Sequence, residues 1–414
     1  MHILIVTQYF WPENFRINDL VAGLVDRSHK VTVLTGIPNY PEGSFFPGYG
    51  LCSNFSQEYK GCKVLRVPLI PRGKGGGIRL ALNYLSFVLS ACLLAPIRCR
   101  DKYDVIFIFE PSPVTVALPA LVLKTLRKVP VMFWVQDLWP ESLAATGAVS
   151  SGRVLALVSK IVKFIYRRCD KILITSRSFR KSIELHGVST EDILYFPQSA
   201  EDVFQIVTEK QLVAELDSIP QGFRIMFAGN IGAAQDFNTI IQSAYKLKEH
   251  VDIHWIIVGD GRMREWAENE VKNFGLSNKF HFLGRHPLEA MPVFFSHADA
   301  LLVTLRKEPI FSLTIPAKIQ SYLACGRPII AALDGEGAKV INASEAGFSC
   351  PAESPDDLAQ IVLKMYETSK PERESMGAKG RIYYEANFDR EMLLDKLEGW
   401  MKDLIDTNRT KAIK

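Results

Sequence analysis

The segment Glu308–Pro328 reads Glu-Pro-Ile-Phe-Ser-Leu-Thr-Ile-Pro-Ala-Lys-Ile-Gln-Ser-Tyr-Leu-Ala-Cys-Gly-Arg-Pro. Ser312 and Thr314 place hydroxyls ahead of a helix that Pro316 can open at its first turn. Lys318 then falls near the helix N-terminus, where a cation is unfavourable unless an anion neutralises it. The spacing therefore points to a bound phosphate or diphosphate. Gly326 closes the helix, and Arg327-Pro328 leads into the next strand. Three glycine-bearing segments precede it: Ala228-Gly229-Asn230-Ile231-Gly232 with Gln235 just beyond, Val258-Gly259-Asp260-Gly261, and Leu283-Gly284-Arg285-His286. Each ends an apolar run. One such turn is ordinary punctuation; three at strand ends in one half of the chain converge on a pocket where backbone can approach a ligand closely.

The N-terminal half offers a second set. The loop Thr7–Asp19 contains no glycine, which counts against the dinucleotide fingerprint of NAD or FAD enzymes. It does carry Asn14, Arg16, Asn18 and Asp19 at a helix start, which suits either an anion or plain capping by Asn14 with Arg16 solvated. Further on, Gln136-Asp137-Leu138-Trp139-Pro140-Glu141 follows an apolar strand. Asp137 and Glu141 are placed either to touch sugar hydroxyls or to cap a helix near Pro140. No H-E-x-x-H, G-x-S-x-G or P-loop occurs, and the eight histidines do not cluster. A D-x-D pair is also absent, so no metal requirement is expected.

The elements that must position these residues alternate between short β-branched runs and longer amphipathic stretches. Strands are expected at Ile3–Val6, Val31–Thr35, Val64–Val67, Val105–Phe109, Val131–Val135 and Lys171–Thr175. A second series covers Phe223–Ala228, His254–Val258, Lys279–Leu283, Ala300–Val303 and Pro328–Ala331. Near-continuous apolar runs separated by helices indicate parallel sheets covered on both faces. The pattern breaks near 198–220, giving two doubly wound α/β domains, 1–200 and 201–389. A final helix within 390–414 is expected to return to the first domain, with a frayed polar end at Thr407–Lys414.

The chain of 414 residues exceeds what one core serves, and its apolar content of 48% is that of a globular protein. Seven cysteines without a C-x-x-C indicate reduced thiols rather than a disulfide framework. Residues 1–200 hold 24 Lys/Arg against 14 Asp/Glu, and residues 201–414 hold 25 against 31. The basic half suits an anionic surface or ligand; nucleic acid is disfavoured because no aromatic-plus-basic motif accompanies the charge. Leu80–Ile97 is apolar nearly all round. A glycine cluster (Gly73, Gly75–Gly77) and Arg72, Lys74 and Arg79 precede it; Arg98, Arg100 and Lys102 follow. It reads as a buried crossover helix or as a helix, near 78–98, lying in a membrane face with its cations on anionic lipid. A full span is less favoured, given Asn83, two serines and Pro96.

Gln8-Tyr9-Phe10-Trp11-Pro12-Glu13, Pro38-Asn39-Tyr40-Pro41-Glu42-Gly43, Asn83-Tyr84-Leu85-Ser86-Phe87, Asp137-Leu138-Trp139-Pro140-Glu141 and Pro316-Ala317-Lys318 with Gly326-Arg327-Pro328 together resemble the retaining GT-B glycosyltransferases of family 4. The likeness is strongest to bacterial O-antigen and capsule enzymes of the N-acetyl-L-fucosamine and colanic-acid transferase type. It implies two Rossmann-like lobes facing across a cleft. A UDP-sugar would serve as substrate, with no cofactor, held by the second lobe: base near Gly284 and Arg285, diphosphate near Gly232 and Lys318, ribose near Ser321. The remaining donor contacts implied are Gly229, Asn230, Gln235, Gly259, Ser312 and Thr314. Catalytic roles fall on Asp137, Glu141, Lys318 and Arg16, and acceptor contacts on Asn14, Arg16, Asn18 and Tyr40. The acceptor implied is an undecaprenyl-diphosphate-linked saccharide at the inner face of the cytoplasmic membrane, where the protein would sit peripherally. The sequence departs from the family at Leu313 and Ser321, where a pair of glutamates is usual. Two other readings stand beside this one: a UDP-sugar 2-epimerase of the same fold, and a non-catalytic scaffold of polysaccharide assembly.

Overall fold

The computed structural model describes the chain except residues 52–54, 74–76, 146–148, 150, 209–212 and 414. Cys52 and most of the glycine cluster expected before the apolar helix (Gly75 and Gly76, with Lys74) therefore lie outside the described residues. The chain divides into two compact units, Met1–Pro197 with Leu393–Lys414, and Gln198–Met392.

The first unit runs β1 (His2–Val6), α1 (Arg16–Asp26), β2 (Lys30–Gly36), β3 (Ser56–Tyr59), β4 (Cys62–Val67), α2 (Gly77–Arg98), β5 (Val105–Glu110), α3 (Ala117–Arg127), β6 (Val131–Val135), α4 (Glu141–Ala145), α5 (Gly152–Tyr166), β7 (Lys171–Ile174), α6 (Arg180–Leu185) and β8 (Ile193–Tyr195). The sheet order is β3-β4-β2-β1-β5-β6-β7-β8. All pairings are parallel except β3 against β4. From β1 the chain winds outward through β2, then returns to β5 on the other side. The topological switch point, where ligands of doubly wound sheets bind, is thus between β1 and β5. Every residue of β5 and β6 is buried, as expected of strands covered on both faces.

The second unit runs α7 (Ala214–Asp217), β9 (Phe223–Ala228), α8 (Phe237–Lys246), β10 (Ile253–Val258), α9 (Arg264–Asn273), β11 (Phe280–Gly284), α10 (Met291–Ser296), β12 (Ala300–Thr304), α11 (Pro309–Leu313), α12 (Ala317–Ala324), β13 (Ile329–Ala332), α13 (Glu336–Ser344), β14 (Gly347–Cys350), α14 (Pro355–Glu367) and α15 (Lys370–Asn387). Its sheet is wholly parallel, in the order β11-β10-β9-β12-β13-β14, so its switch point lies between β9 and β12. Alternate strand residues feed two cores. Met226, Ile256, Leu301 and Ile329 face one way with Ile319 and Tyr322; Phe227, Trp255, Ile257, Leu302 and Ile330 face the other with Phe237 and Ile240.

Two features bear on function. Helix α2 lays Asn83, Phe87, Val88, Ala91 and Ala95 into the first unit, yet it also exposes Ile78, Leu82, Leu85, Leu89, Leu93 and Ile97, a row at helical spacing. It is long and apolar enough to cross a membrane by composition, but its inner face is fixed on the domain. Helix α16 (Arg390–Ile413) is helical through the polar stretch expected to fray. The Asn408 amide donates to the Lys128 carbonyl at 3.0 Å, and Arg409 meets Asp104 at 3.2 Å, which anchors that end.

Candidate functional site

At the switch point of the second unit, the loop after β9 meets the loop after β12. The Thr304 hydroxyl donates to the Gln235 carbonyl, and Arg306 N–H donates to the Ala234 carbonyl at 3.0 Å. Into this corner α12 sends Lys318. The residue is half-buried, but its ammonium is enclosed, 3.5 Å from the centre of the Phe227 ring and donating to Gln235 Oε1 at 2.7 Å. Burial alone holds its pKa well below the ordinary lysine range, and among the described residues no carboxylate offsets the loss of hydration. A ligand anion would supply that missing partner.

Glycine makes the approach feasible. Gly229 adopts φ +133°, and a Cβ there would come within 2.9 Å of Lys318 Cε. Gly259, at φ +140°, would drive a Cβ to 1.9 Å from the Gly229 carbonyl oxygen. Side chains at either position would close the corner, so bare backbone lies beside the ammonium. Gly259 N–H in turn donates to the Gly284 carbonyl at 2.7 Å, joining the ends of β9, β10 and β11.

The first unit builds two clusters at the carboxyl ends of its strands. Asn83 of α2 is fully buried; its Oδ1 accepts from Gln8 Nε2 at 2.7 Å and its Nδ2 donates to Asn39 Oδ1 at 3.2 Å and the Ile70 carbonyl at 2.7 Å. Glu13, 1% exposed, accepts from the N–H groups of Phe10, Asn39 and Tyr40 at 3.2, 2.8 and 2.7 Å, tying the loop after β1 to the loop after β2. Burial outweighs these bonds and pushes its carboxyl up to about 7. Above them Tyr9, Phe15 and Tyr40 pack ring on ring, and the Arg72 guanidinium sits 4.8 Å over Tyr40.

The other cluster is acidic. Glu110, the last residue of β5, is fully buried. The N–H groups of Gln136 and Asp137 face its carboxyl, yet neither oxygen makes a well-formed hydrogen bond. Burial first, then the charge of Asp137, drives its pKa well above the usual range. Asp137, half-buried at the end of β6, accepts from the Ser142 hydroxyl, and burial raises its pKa too. The Trp139 indole N–H lies beside Asp137 without a hydrogen bond of its own. Glu141 accepts from the Ser182 hydroxyl through one oxygen and leaves the other buried and unpartnered. The buried Tyr166 hydroxyl, also unpartnered, completes the group. Burial raises the pKa of both Glu110 and Asp137, and the oxygens and hydroxyl left without partners suit this corner to hold hydroxyl groups. Among the described residues no set of three such groups is arranged to hold a metal ion.

Residues 210–383 match the family of glycosyl transferases group 1, and residues 14–198 match the glycosyl transferase 4-like domain; the two matches together span most of the chain. The chain is a group 1 glycosyltransferase with the GT-B fold. Among its relatives, WbjE of Pseudomonas aeruginosa, named as a glycosyltransferase, is 25% identical over 70% of this chain and 74% of its own length. WcaI of Escherichia coli (strain K12), a glycosyl transferase named for colanic acid biosynthesis, is 25% identical over 74% of this chain and 76% of its own. Of solved structures, Anabaena HepE in complex with UDP superposes with a TM-score of 0.71 at 15% identity, covering 97% of this chain and all of that one. WaaG, a glycosyltransferase involved in lipopolysaccharide biosynthesis, gives 0.63 at 15% identity over 96% and 98% of the two chains.

In this glycosyltransferase the residues singled out by sequence fall into groups. Gly229, Gly259, Gln235 and Lys318 share the switch-point corner, with Gly232 and Asn230 in the same loop, and Gly284 is tied to it only through its carbonyl, which accepts from Gly259 N–H. Arg285 stands exposed beside Gly284. The three hydroxyls each donate to nearby backbone: Ser312 Oγ to the Pro309 carbonyl at 2.7 Å, Thr314 to Phe311 at 3.1 Å, and Ser321 to Ala317 at 3.3 Å. Each is spent on a carbonyl of its own helix or turn. In the first unit, Asp137 and Glu141 join the acidic cluster, and Tyr40 the aromatic one. Asn14 is exposed and does not cap α1, whose N-cap is Phe15. Asn18 is structural: it accepts from Trp11 N–H at 3.1 Å and donates to the Glu13 carbonyl at 2.7 Å. Arg16 is the first residue of α1.

Sequence reasoning missed Glu110, Glu13, Asn83 and Arg72. Glu110 left a signal: an acid closing a six-residue apolar strand, Val-Ile-Phe-Ile-Phe-Glu. The others stood inside or beside noticed motifs, but only the fold shows that motifs 44 and 75 residues apart meet at Asn83.

Proposed function

We propose that this glycosyltransferase moves a sugar from a UDP-sugar to an undecaprenyl-diphosphate-linked saccharide at the inner face of the cytoplasmic membrane. The pathway would be O-antigen or capsule-type polysaccharide assembly. The observation that carries the donor assignment is the enclosed Lys318 ammonium, lacking a counter-charge, beside bare glycine backbone at the switch point of the second unit. A diphosphate leaving group answers both features, and a GT-B structure with UDP bound is among this chain's structural neighbours. Gly229, Gly259 and Lys318 hold the diphosphate; Gly284 and Arg285 lie toward the base. Transfer proceeds with retention and without a metal, the developing charge being met by Lys318, with Arg16 assigned to the same task. Asp137 and Glu141 receive the reacting sugar hydroxyls, with the buried Glu110 behind Asp137. An N-acetylated 6-deoxy-amino sugar such as N-acetyl-L-fucosamine is the proposed donor sugar, and the name of WcaI, given for colanic acid biosynthesis, supports surface-polysaccharide chemistry. The exposed apolar row of α2, flanked by Arg79, Arg98 and Arg100, supports docking on anionic lipid.

The test is incubation of the purified protein with a panel of UDP-sugars and a synthetic polyprenyl-diphosphate sugar, in the presence and absence of EDTA. Mass analysis of the lipid and NMR of the new anomeric bond follow. One UDP-sugar should add one residue with its anomeric configuration kept, and EDTA should change nothing. Interconversion of the UDP-sugar without acceptor would point instead to an epimerase.

A further inference from the structure

The apolar surface of the first unit does not stop at α2. Between α2 and α5, floored by the start of α3 and the turn Val114–Val116, runs a groove of about 650 Å³. Its α2 wall is Ala81, Tyr84, Leu85 and Val88, one stripe at helical spacing, and its α5 wall includes Ile161 and Phe164. The volume lies within the range of roughly 300–1,000 Å³ usual for small-molecule sites. The lining is almost wholly hydrocarbon and aromatic.

Two observations say what fits there. First, the rim is made for a lipid surface. Besides the exposed row of α2, α5 exposes Val154, Leu157 and Phe164, and neither helix carries an acidic residue. The charges they do carry are Arg79, Arg98, Arg153, Lys160 and Lys163, all cationic. An anionic membrane face complements both properties. Second, the groove runs into the acidic and aromatic clusters. Tyr84 lines it, and the Tyr84 hydroxyl lies beside Tyr9 and Ser112. Trp139 lines it as well and lies beside Asp137. Arg72 acts on the hydroxyls of Tyr9 and Tyr84 from the same end. The cavity is therefore apolar along its length and polar, with a cation, where it ends.

We propose that this groove takes the hydrocarbon tail of a phosphate-headed membrane lipid, laying the tail along Tyr84, Leu85, Val88 and Phe164 and delivering the phosphate to Arg72. The inference rests on the lipid-linked acceptor reading above and adds a site for the chain itself. It makes the tail a recognised part of the acceptor rather than a passive anchor. The groove lies beside the membrane-facing row, so a lipid can slide in from the bilayer edge without passing through water.

The test separates groove from surface and from function. Binding of geranylgeranyl diphosphate and of inorganic diphosphate to the full chain is measured by calorimetry, for the native protein and for Ala81→Trp and Ile161→Trp. Both substitutions fill the groove, Ala81→Trp from an exposed position and Ile161→Trp from a half-buried one. The native protein should prefer the tailed probe by at least about tenfold, given the apolar surface its chain buries, and both variants should lose that preference. Sedimentation with anionic vesicles and UDP binding should be unchanged in the variants, and the calorimetric unfolding transition of the first unit should keep its native midpoint, which shows that the groove-bearing unit folds. An equal preference in native protein and variants would overturn the proposal, as would a concentration-dependent dimer of the native protein that Ala81→Trp abolishes, since a second copy would then occupy the groove. Loss of UDP binding or transfer in the native protein defeats the glycosyltransfer reading alone, because the tail preference is read without either.

Discussion

Lys318 and Glu110 are both enclosed ionisable groups with no opposite charge named beside them among the described residues, and burial shifts them in opposite senses. The ammonium of Lys318 is held below its ordinary pKa by burial, so an arriving diphosphate raises that pKa and draws in a proton. Calorimetry of UDP in buffers of different ionisation enthalpy should show net proton uptake above the pKa of the free site. Lys318→Met, which keeps the stem on Phe227, should weaken UDP binding by roughly 10- to 100-fold, the worth of a charged hydrogen bond at about 1.5–3 kcal/mol, and should abolish the uptake. Glu110 has its pKa raised, so its neutral form suits the fold and its contribution to stability is lost as pH rises through that pKa. Glu110→Gln should therefore flatten the urea stability profile on the alkaline side and leave the variant at least as stable as the native protein there. If Glu110 serves the reaction, transfer should fall at least about tenfold while UDP affinity holds; a variant with full turnover would assign the residue to the fold alone. Lys318 was legible from spacing, because a lysine in a helix's first turn needs an anion. Glu110 was not, because an acid ending an apolar strand announces burial only once neighbouring strands are known to enclose it.

At the scale of elements, the strands covered on both faces read directly: β1, β2, β5, β6, β9, β10, β12 and β13 are runs of apolar residues whose expected and observed limits agree within a residue. The edges did not. β3 is Ser-Gln-Glu-Tyr and β14 is Gly-Phe-Ser-Cys, mostly polar or part-exposed, because an edge strand need not be apolar to pair. The loops were least legible, since their order comes from bonds across long sequence distances. Glu13 is the clearest case, a carboxyl that stitches the loop after β1 to the one after β2. Its pKa is raised from 4.5 to about 7, so the stability it lends is complete below the lower value and lost as pH climbs through the upper one. The native protein should thus lose first-unit stability between those limits, followed by urea titration at half-unit steps. Glu13→Gln should remove that slope. It should also cost about 1–3 kcal/mol at acid pH, because an amide cannot accept at both ends and leaves a buried N–H unpaired.

The two units differ in how the chain builds them. The second is continuous, Gln198–Met392, whereas the first is completed by Leu393–Lys414. α16 brings Leu393, Leu394, Leu397, Met401, Leu404 and Ile405 into burial. Trp400 packs edge-on against Phe196 with ring centres 6.1 Å apart, and Glu398 takes Arg27 at 3.4 Å and His29 at 3.1 Å. The apolar side chains dominate this attachment, since part-exposed ion pairs contribute about 1 kcal/mol or less. Six buried aliphatic side chains at roughly 1.5–3 kcal/mol each approach or exceed the whole stability of an ordinary domain, about 5–15 kcal/mol. A chain ending at Asp389 should therefore lose the calorimetric unfolding transition of the first unit, or see it displaced far downward, while the transition of the second persists. UDP binding should survive the truncation, since Gly229, Gly259 and Lys318 all belong to the second unit, and glycosyl transfer should vanish. The sequence showed the helix through its Leu, Ile, Met and Trp spacing, but the extent of its hold lay in the polar end, where Asn408 and Arg409 bond to the turn after α3 and to Asp104. A truncated protein that melts in two unshifted transitions would break the link between α16 and the first unit, and with it the claim that the last 22 residues are structural parts of that unit.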